Sequence, residues 1–173
     1  MYTKIIIGVD PAVTSGSHSD ETGIVVVAKG TDGLTYVLDD LSMKATPSIW
    51  AECVIKAYHN YKAHYVVAEI NQGGDLVETL LKSTDPTIQF KAVRATKSKQ
   101  TRAVPIAMLY EQGKVFHIRP FPDLEQQMCT YVPGSGKSPD RVDALVWALT
   151  ELTRSTKTQR LSKCWNLDSA AIL

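Results

Sequence analysis

The chain has 173 residues, 44% of them hydrophobic and 21% charged, which suits one soluble domain with a substantial core. Nineteen lysines and arginines nearly balance eighteen acids, so bulk charge argues neither for nor against nucleic acid. No apolar run approaches the roughly 20 residues that span a bilayer. No membrane partner and no secretory leader are expected, and the unpaired spacing of Cys53, Cys129 and Cys164 suits the reduced thiols of a cytoplasm.

Ile5 to Val9 is a β-branched run closed by Asp10-Pro11, the pattern of a fully buried strand. Thr14 to Thr22 reads as a loop, Ile24 to Ala28 as a second strand, Thr31-Asp32-Gly33 as a turn, and Leu34 to Leu41 as a third strand. These three form an antiparallel meander. Thr46-Pro47 caps a helix whose apolar face carries Trp50, Cys53, Val54, Ala57 and Tyr61. Tyr65 to Ala68 is another buried-type strand, ending at Glu69. A helix follows from Gly73-Gly74 to about Lys82, and Ile88 to Val93 makes a fifth strand. The next helix runs from about Ser98 to Gln112, with Pro105 in its first turns or kinking it, and stops at Gly113. Val115 to Ile118 is a possible small strand and Pro122 to Met128 a short helix. The last helix takes Ser138 as its cap and Pro139 as its first residue, and buries Val142, Leu145, Val146, Leu149 and Leu152. The expected architecture is an α/β fold: a mixed five-stranded sheet, three antiparallel strands then parallel ones, with helices on both faces. Residues 1–153 are expected to form the domain, and 154–173 a basic tail, either loosely ordered or an attachment segment.

Gly134-Ser135-Gly136-Lys137-Ser138 has the look of a phosphate-binding loop. The spacing excludes it: the first glycine of such a loop falls at Tyr131, and Pro139 removes an N–H where phosphate would sit. The carboxylates are more informative. Asp10 and Glu69 each end a buried strand. If those strands are parallel neighbours, both acids stand at the carboxyl edge of the sheet, where open α/β sheets bind ligands. Asp140 and Asp143 are three apart on one helix and share a face. Each acid has a bland explanation by itself: a helix-dipole acid at Asp140, a strand end at Asp10, a lysine partner for Glu69. Jointly they describe a cluster that cannot stay ionised without compensation. Oxygen donors with no histidine or cysteine group favour magnesium or manganese. Two such ions roughly 4 Å apart stabilise both the attacking and the leaving oxygen of an in-line phosphoryl displacement.

Four segments, in order, carry a resemblance: Ile5-Ile6-Ile7-Gly8-Val9-Asp10-Pro11-Ala12, Ser19-Asp20-Glu21-Thr22-Gly23-Ile24-Val25-Val26-Val27, Val66-Val67-Ala68-Glu69-Ile70-Asn71-Gln72-Gly73-Gly74-Asp75, and Ser138-Pro139-Asp140-Arg141-Val142-Asp143-Ala144-Leu145-Val146-Trp147-Ala148-Leu149. Together they resemble the nuclease domain of tailed-bacteriophage large terminase subunits, over about Lys4 to Leu152. The resemblance implies a ribonuclease H-like fold and a two-metal endonuclease that cuts concatemeric viral double-stranded DNA during genome packaging in the host cytoplasm. Asp10, Glu69 and Asp143 match the metal-binding acids, and Asp140 the extra acid of the similar Holliday-junction resolvases. Lys97, Lys99 and Arg102 match a basic stretch expected near DNA phosphate. The family's packaging ATPase is not in this chain, so that motor, the portal and the small terminase subunit are implied as partners. A second basic run, Arg154, Lys157, Arg160 and Lys163, is a solvated face or a phosphate contact. The alternatives are a resolvase-like nuclease, a non-catalytic DNA- or portal-docking module of the same fold, and half of an actin- or sugar-kinase-type ATPase, for which the chain is short.

Overall fold

The computed structural model describes residues 1–11, 21–70, 74–96, 98–131 and 139–164. Among these, six strands and five helices alternate as β1 (Tyr2–Asp10), β2 (Gly23–Gly30), β3 (Thr35–Asp40), α1 (Pro47–Asn60), β4 (Tyr65–Glu69), α2 (Gly74–Thr84), β5 (Phe90–Val93), α3 (Lys99–Glu111), β6 (Val115–His117), α4 (Pro122–Thr130) and α5 (Asp140–Cys164). The sheet order is β5-β4-β1-β2-β3-β6. The first three strands are the antiparallel meander, and β4 and β5 add in parallel on the β1 side. The sheet has six strands rather than five. Three residues, Val115–His117, within the stretch read as a possible small strand, pair in parallel with Thr35–Val37 at the far edge. Gly113, at φ +61°, makes the turn into it from α3.

Strand parity divides the core. Ile6, Val25, Val27 and Val67 face α5, α4 and Ile106 of α3. Ile7, Val9, Ile24, Val26 and Val66 face α1 and α2, through Trp50, Val54, Val77 and Leu81. Side chains alternate along a strand, so Asp10 shares the α5 side with Ile6 and Gly8, and Glu69 shares it with Val67.

Helix α5 lies directly on this face because two glycines admit it. A Cβ at Gly8 would collide with the Ala144 carbonyl oxygen, and one at Gly23 with the Asp140 carbonyl oxygen. The helix begins at Asp140, one residue after the expected Pro139, whose carbonyl accepts from the Asp143 N–H at 2.9 Å, and it buries the expected stripe. It runs on to Cys164, past the expected domain boundary. Its proposed cap, Ser138, lies outside the described residues. Thr46 does stand at the N-cap of α1 but makes no side-chain cap bond; its carbonyl receives the first helical N–H groups instead. Ser98 caps α3 through its hydroxyl, which accepts from the Thr101 N–H, and Pro105 lies inside that helix.

Candidate active site

Three backbone relations bring the predicted acids to one place. Val9 of β1 pairs in parallel with Ala68 of β4, so the next residues, Asp10 and Glu69, stand side by side at the carboxyl edge. Asp10 is also opposite Gly23 in the antiparallel register, and it is over Gly23 that the first turn of α5 passes. That turn carries Asp140, half-buried, and Asp143, 7% exposed.

The electrostatics register the convergence. Burial pushes the Asp10 carboxyl up, and Asp143, Asp140 and Glu69 push it further, to about 7, against the opposing pull of Lys99. For Lys99, burial lowers the ammonium's pKa. Its hydrogen bond to Asp143, with the charges of Asp143, Asp10 and Asp140, outweighs burial and leaves the ammonium above its ordinary value. Residues from β1, β4, α5 and α3 therefore share one electrostatic site.

Helix α3 supplies the countercharge. The Lys99 ammonium donates to Asp143 Oδ2. Arg102 Nη1 donates to Glu69 Oε2 at 2.9 Å, with both side chains largely buried. Two of the three predicted DNA-contacting residues, Lys99 and Arg102, thus reach into the acid cluster, and the third, Lys97, lies outside the described residues. Glu69 Oε2 also accepts from Trp147 Nε1 at 3.1 Å, and the Arg102 guanidinium stacks 4.1 Å from the centre of the Trp147 ring.

Two further groups hold α5 in register; neither Arg141 nor Glu151 is a residue that motif reading singles out. Arg141, between the two acids in sequence, donates to both carboxylate oxygens of Glu21, at 2.8 and 2.6 Å, and to Asp40 Oδ2 at 2.6 Å. Two turns beyond Asp143, buried Glu151 accepts from the Tyr65 hydroxyl of β4 at 3.2 Å and from Lys91 of β5. The helix is pinned at both ends of its sheet contact. The signal for Trp147 was available: one turn past Asp143, it is an aromatic with a polar tip on the acid-bearing face.

The donor set fits a hard divalent cation. It is all oxygen, it is partly desolvated, and four acids facing Lys99 and Arg102 leave an excess of negative charge that raises Asp10. Among the described residues no three acids already form a finished ligand set; Lys99 and Arg102 hold Asp143 and Glu69.

A mixed sheet with this strand order, carrying acids from two parallel strand ends and the last helix, defines the class of protein. The chain belongs to the terminase RNaseH-like domain family, whose sequence profile matches residues 7–152. Its fold is similar to the large terminase nuclease of thermophilic phage G20c. The zinc-bound form aligns at a TM-score of 0.68 and 20% identity, covering 86% of this chain and 81% of that one. The magnesium-bound form gives 0.66 and 20%, with the same coverage. The large terminase of a second thermophilic bacteriophage aligns at 0.63 and 14%; 87% of this chain matches 40% of that longer one. RuvC of T. thermophilus, in complex with a Holliday junction, aligns at 0.53 and 17%, covering 88% and 96%. A search of curated proteins gave no match.

Proposed function

We propose that this chain is a metal-dependent endonuclease domain that cuts double-stranded viral DNA during genome packaging in the host cytoplasm. The observation that carries the reading is the electrostatic union of Asp10, Glu69, Asp140 and Asp143 at one sheet edge. The phage nuclease structures with bound zinc, magnesium and cobalt support a divalent ion in this fold. In this reading Asp10, Glu69 and Asp143 hold two magnesium or manganese ions, with Asp140 assisting. When bound, the ions supply charge neutralisation and Lewis acidity to phosphodiester hydrolysis.

The chain's own groups do the rest. Parity and register hold Asp10 and Glu69 on one face, and the glycine contacts set α5 close enough to complete the set. Lys99 and Arg102 balance the acids when no cation is bound, and in this reading they, like Lys97, supply positive charge to the DNA backbone. Contacts to phosphate carry little sequence information, so cutting has weak sequence preference. The packaging ATPase, portal and small subunit are the partners this reading implies.

The test is supercoiled plasmid incubated with manganese, magnesium or chelator. Wild-type protein should nick and linearise it only with metal, and Asp143→Asn should abolish cutting with its melting temperature retained. An Asp143→Asn protein that cuts at the wild-type rate removes Asp143 from the mechanism. The RuvC likeness favours one second reading, a junction resolvase. A four-way junction cut in preference to linear duplex would select it, and metal-independent DNA binding without nicking would select a docking module.

A further inference from the structure

Trp147 is 6% exposed, deep enough that its indole N–H must find a partner or carry a desolvation cost. An apolar side chain would fill the same space without that requirement. Its partner is Glu69, from a different element and 78 residues away in sequence. The face of the same ring carries the Arg102 guanidinium, and Arg102 donates to the same oxygen, Oε2. One indole therefore touches both members of the Arg102–Glu69 pair, by its edge and by its face. The arrangement joins β4, α3 and α5. It also accounts for how Arg102 is held where its Nε has no hydrogen-bond partner among the described residues: the ring face contributes cation–π attraction to a largely buried guanidinium.

We infer that Trp147 is a positioning residue for Glu69, fixing the rotation of a carboxylate that holds a divalent cation. The inference rests on the metal-dependent reading above. Two donors of different origin converge on Oε2, so the carboxylate plane is set before any cation arrives. Groups that orient a metal-holding side chain in this way change metal affinity by about 10–100-fold when removed. The indole N–H provides the orientation and the ring provides the platform for Arg102, and substitution separates the two. Trp147→Phe removes the N–H but keeps an aromatic face. Trp147→Leu removes both.

The test is manganese titration by isothermal calorimetry on wild type, Trp147→Phe, Trp147→Leu and, as a packing control, Leu145→Ala. We expect affinity to fall about 10-fold in Trp147→Phe and further in Trp147→Leu, with Leu145→Ala less thermally stable but wild-type in affinity. On plasmid, Trp147→Phe should need more metal for half-maximal cutting yet approach the wild-type rate at saturation. Equal manganese affinity in wild type and Trp147→Phe overturns the role of Trp147 alone. A wild-type protein that binds no manganese overturns the metal-dependent reading and this one together. Should the substitutions at 147 prevent folding, Trp50→Phe/Trp165→Phe leaves Trp147 as the one indole. Its emission should then change on saturation with magnesium, and unchanged emission with magnesium bound overturns the inference.

Discussion

Lys99 and Asp143 neutralise each other across the gap between α3 and α5, yet the two ends of the pair are unequal. The Asp143 side chain is 9% exposed and that of Lys99 44%. Half-solvated pairs are worth little, whereas a buried carboxylate left without its cation is costly. Lys99→Gln should therefore lower the stability of metal-free protein by about 1 kcal/mol, read by urea unfolding in chelator. It should also tighten manganese binding, because a positive charge leaves the site; unchanged or weaker binding would show that Lys99 does not act on it. Asp10 gives a second residue-scale expectation. Its folded pKa, about 7, lies above the ordinary 3.8. Between those values the native state holds a proton that the unfolded chain does not, so its contribution is full at low pH and lost as pH rises through about 7. In chelator, melting temperature should decline over that window. Asp10→Asn should flatten the decline, and an equal slope in both proteins would mean Asp10 is not the group responsible. Of the site, the four acids were legible as strand ends and a helix spacing. The inward reach of Lys99 and Arg102 was not, because one sequence read alone does not tell which basic side chains face solvent and which face a carboxylate.

At the scale of elements, α5 bears the argument. It rests on two glycines, is clamped by Arg141 to Glu21 and Asp40, and is tied by Glu151 to β4 and β5. Gly8→Ala adds a methyl group against the Ala144 carbonyl and the Ala148 Cβ, neither of which is a flexible side-chain end. We expect a loss of about 1–3 kcal/mol, with weakened metal binding because Asp143 rides on the displaced helix. Wild-type stability and affinity in Gly8→Ala would mean that α5 does not sit against β1 as described. Arg141→Met leaves the partly buried Glu21 and Asp40 without their cation, and should cost about 3 kcal/mol by chemical denaturation. The stripe Val142–Leu152 was readable from periodicity, and the helix start to within one residue from Pro139. The glycine contacts were not, since Gly8 reads equally as a feature of any buried strand. The sixth strand was readable as a small strand, but its place in the sheet was not: its pairing is decided by the distant β3 rather than by its own three residues.

At the scale of the molecule, the chemistry follows topology more than concavity. A cavity of about 450 Å³ lined by Leu41, Met43, Cys53 and Tyr61 lies beside α1, on the sheet face away from α5. The acids meet instead where a parallel crossover brings β4 beside β1, placing two strand ends next to each other. That placement was foreseeable once β1 and β4 were taken as parallel neighbours. What pattern alone left open was whether they were neighbours at all, and parity then decided the face. The most direct measurement of the central claim is anomalous X-ray scattering from crystals of the protein soaked in manganese. The account requires manganese peaks between Asp10, Glu69 and Asp143, with Lys99 withdrawn from Asp143. Manganese absent from that edge at saturating concentration, with Lys99 and Arg102 still paired to the carboxylates, would contradict it.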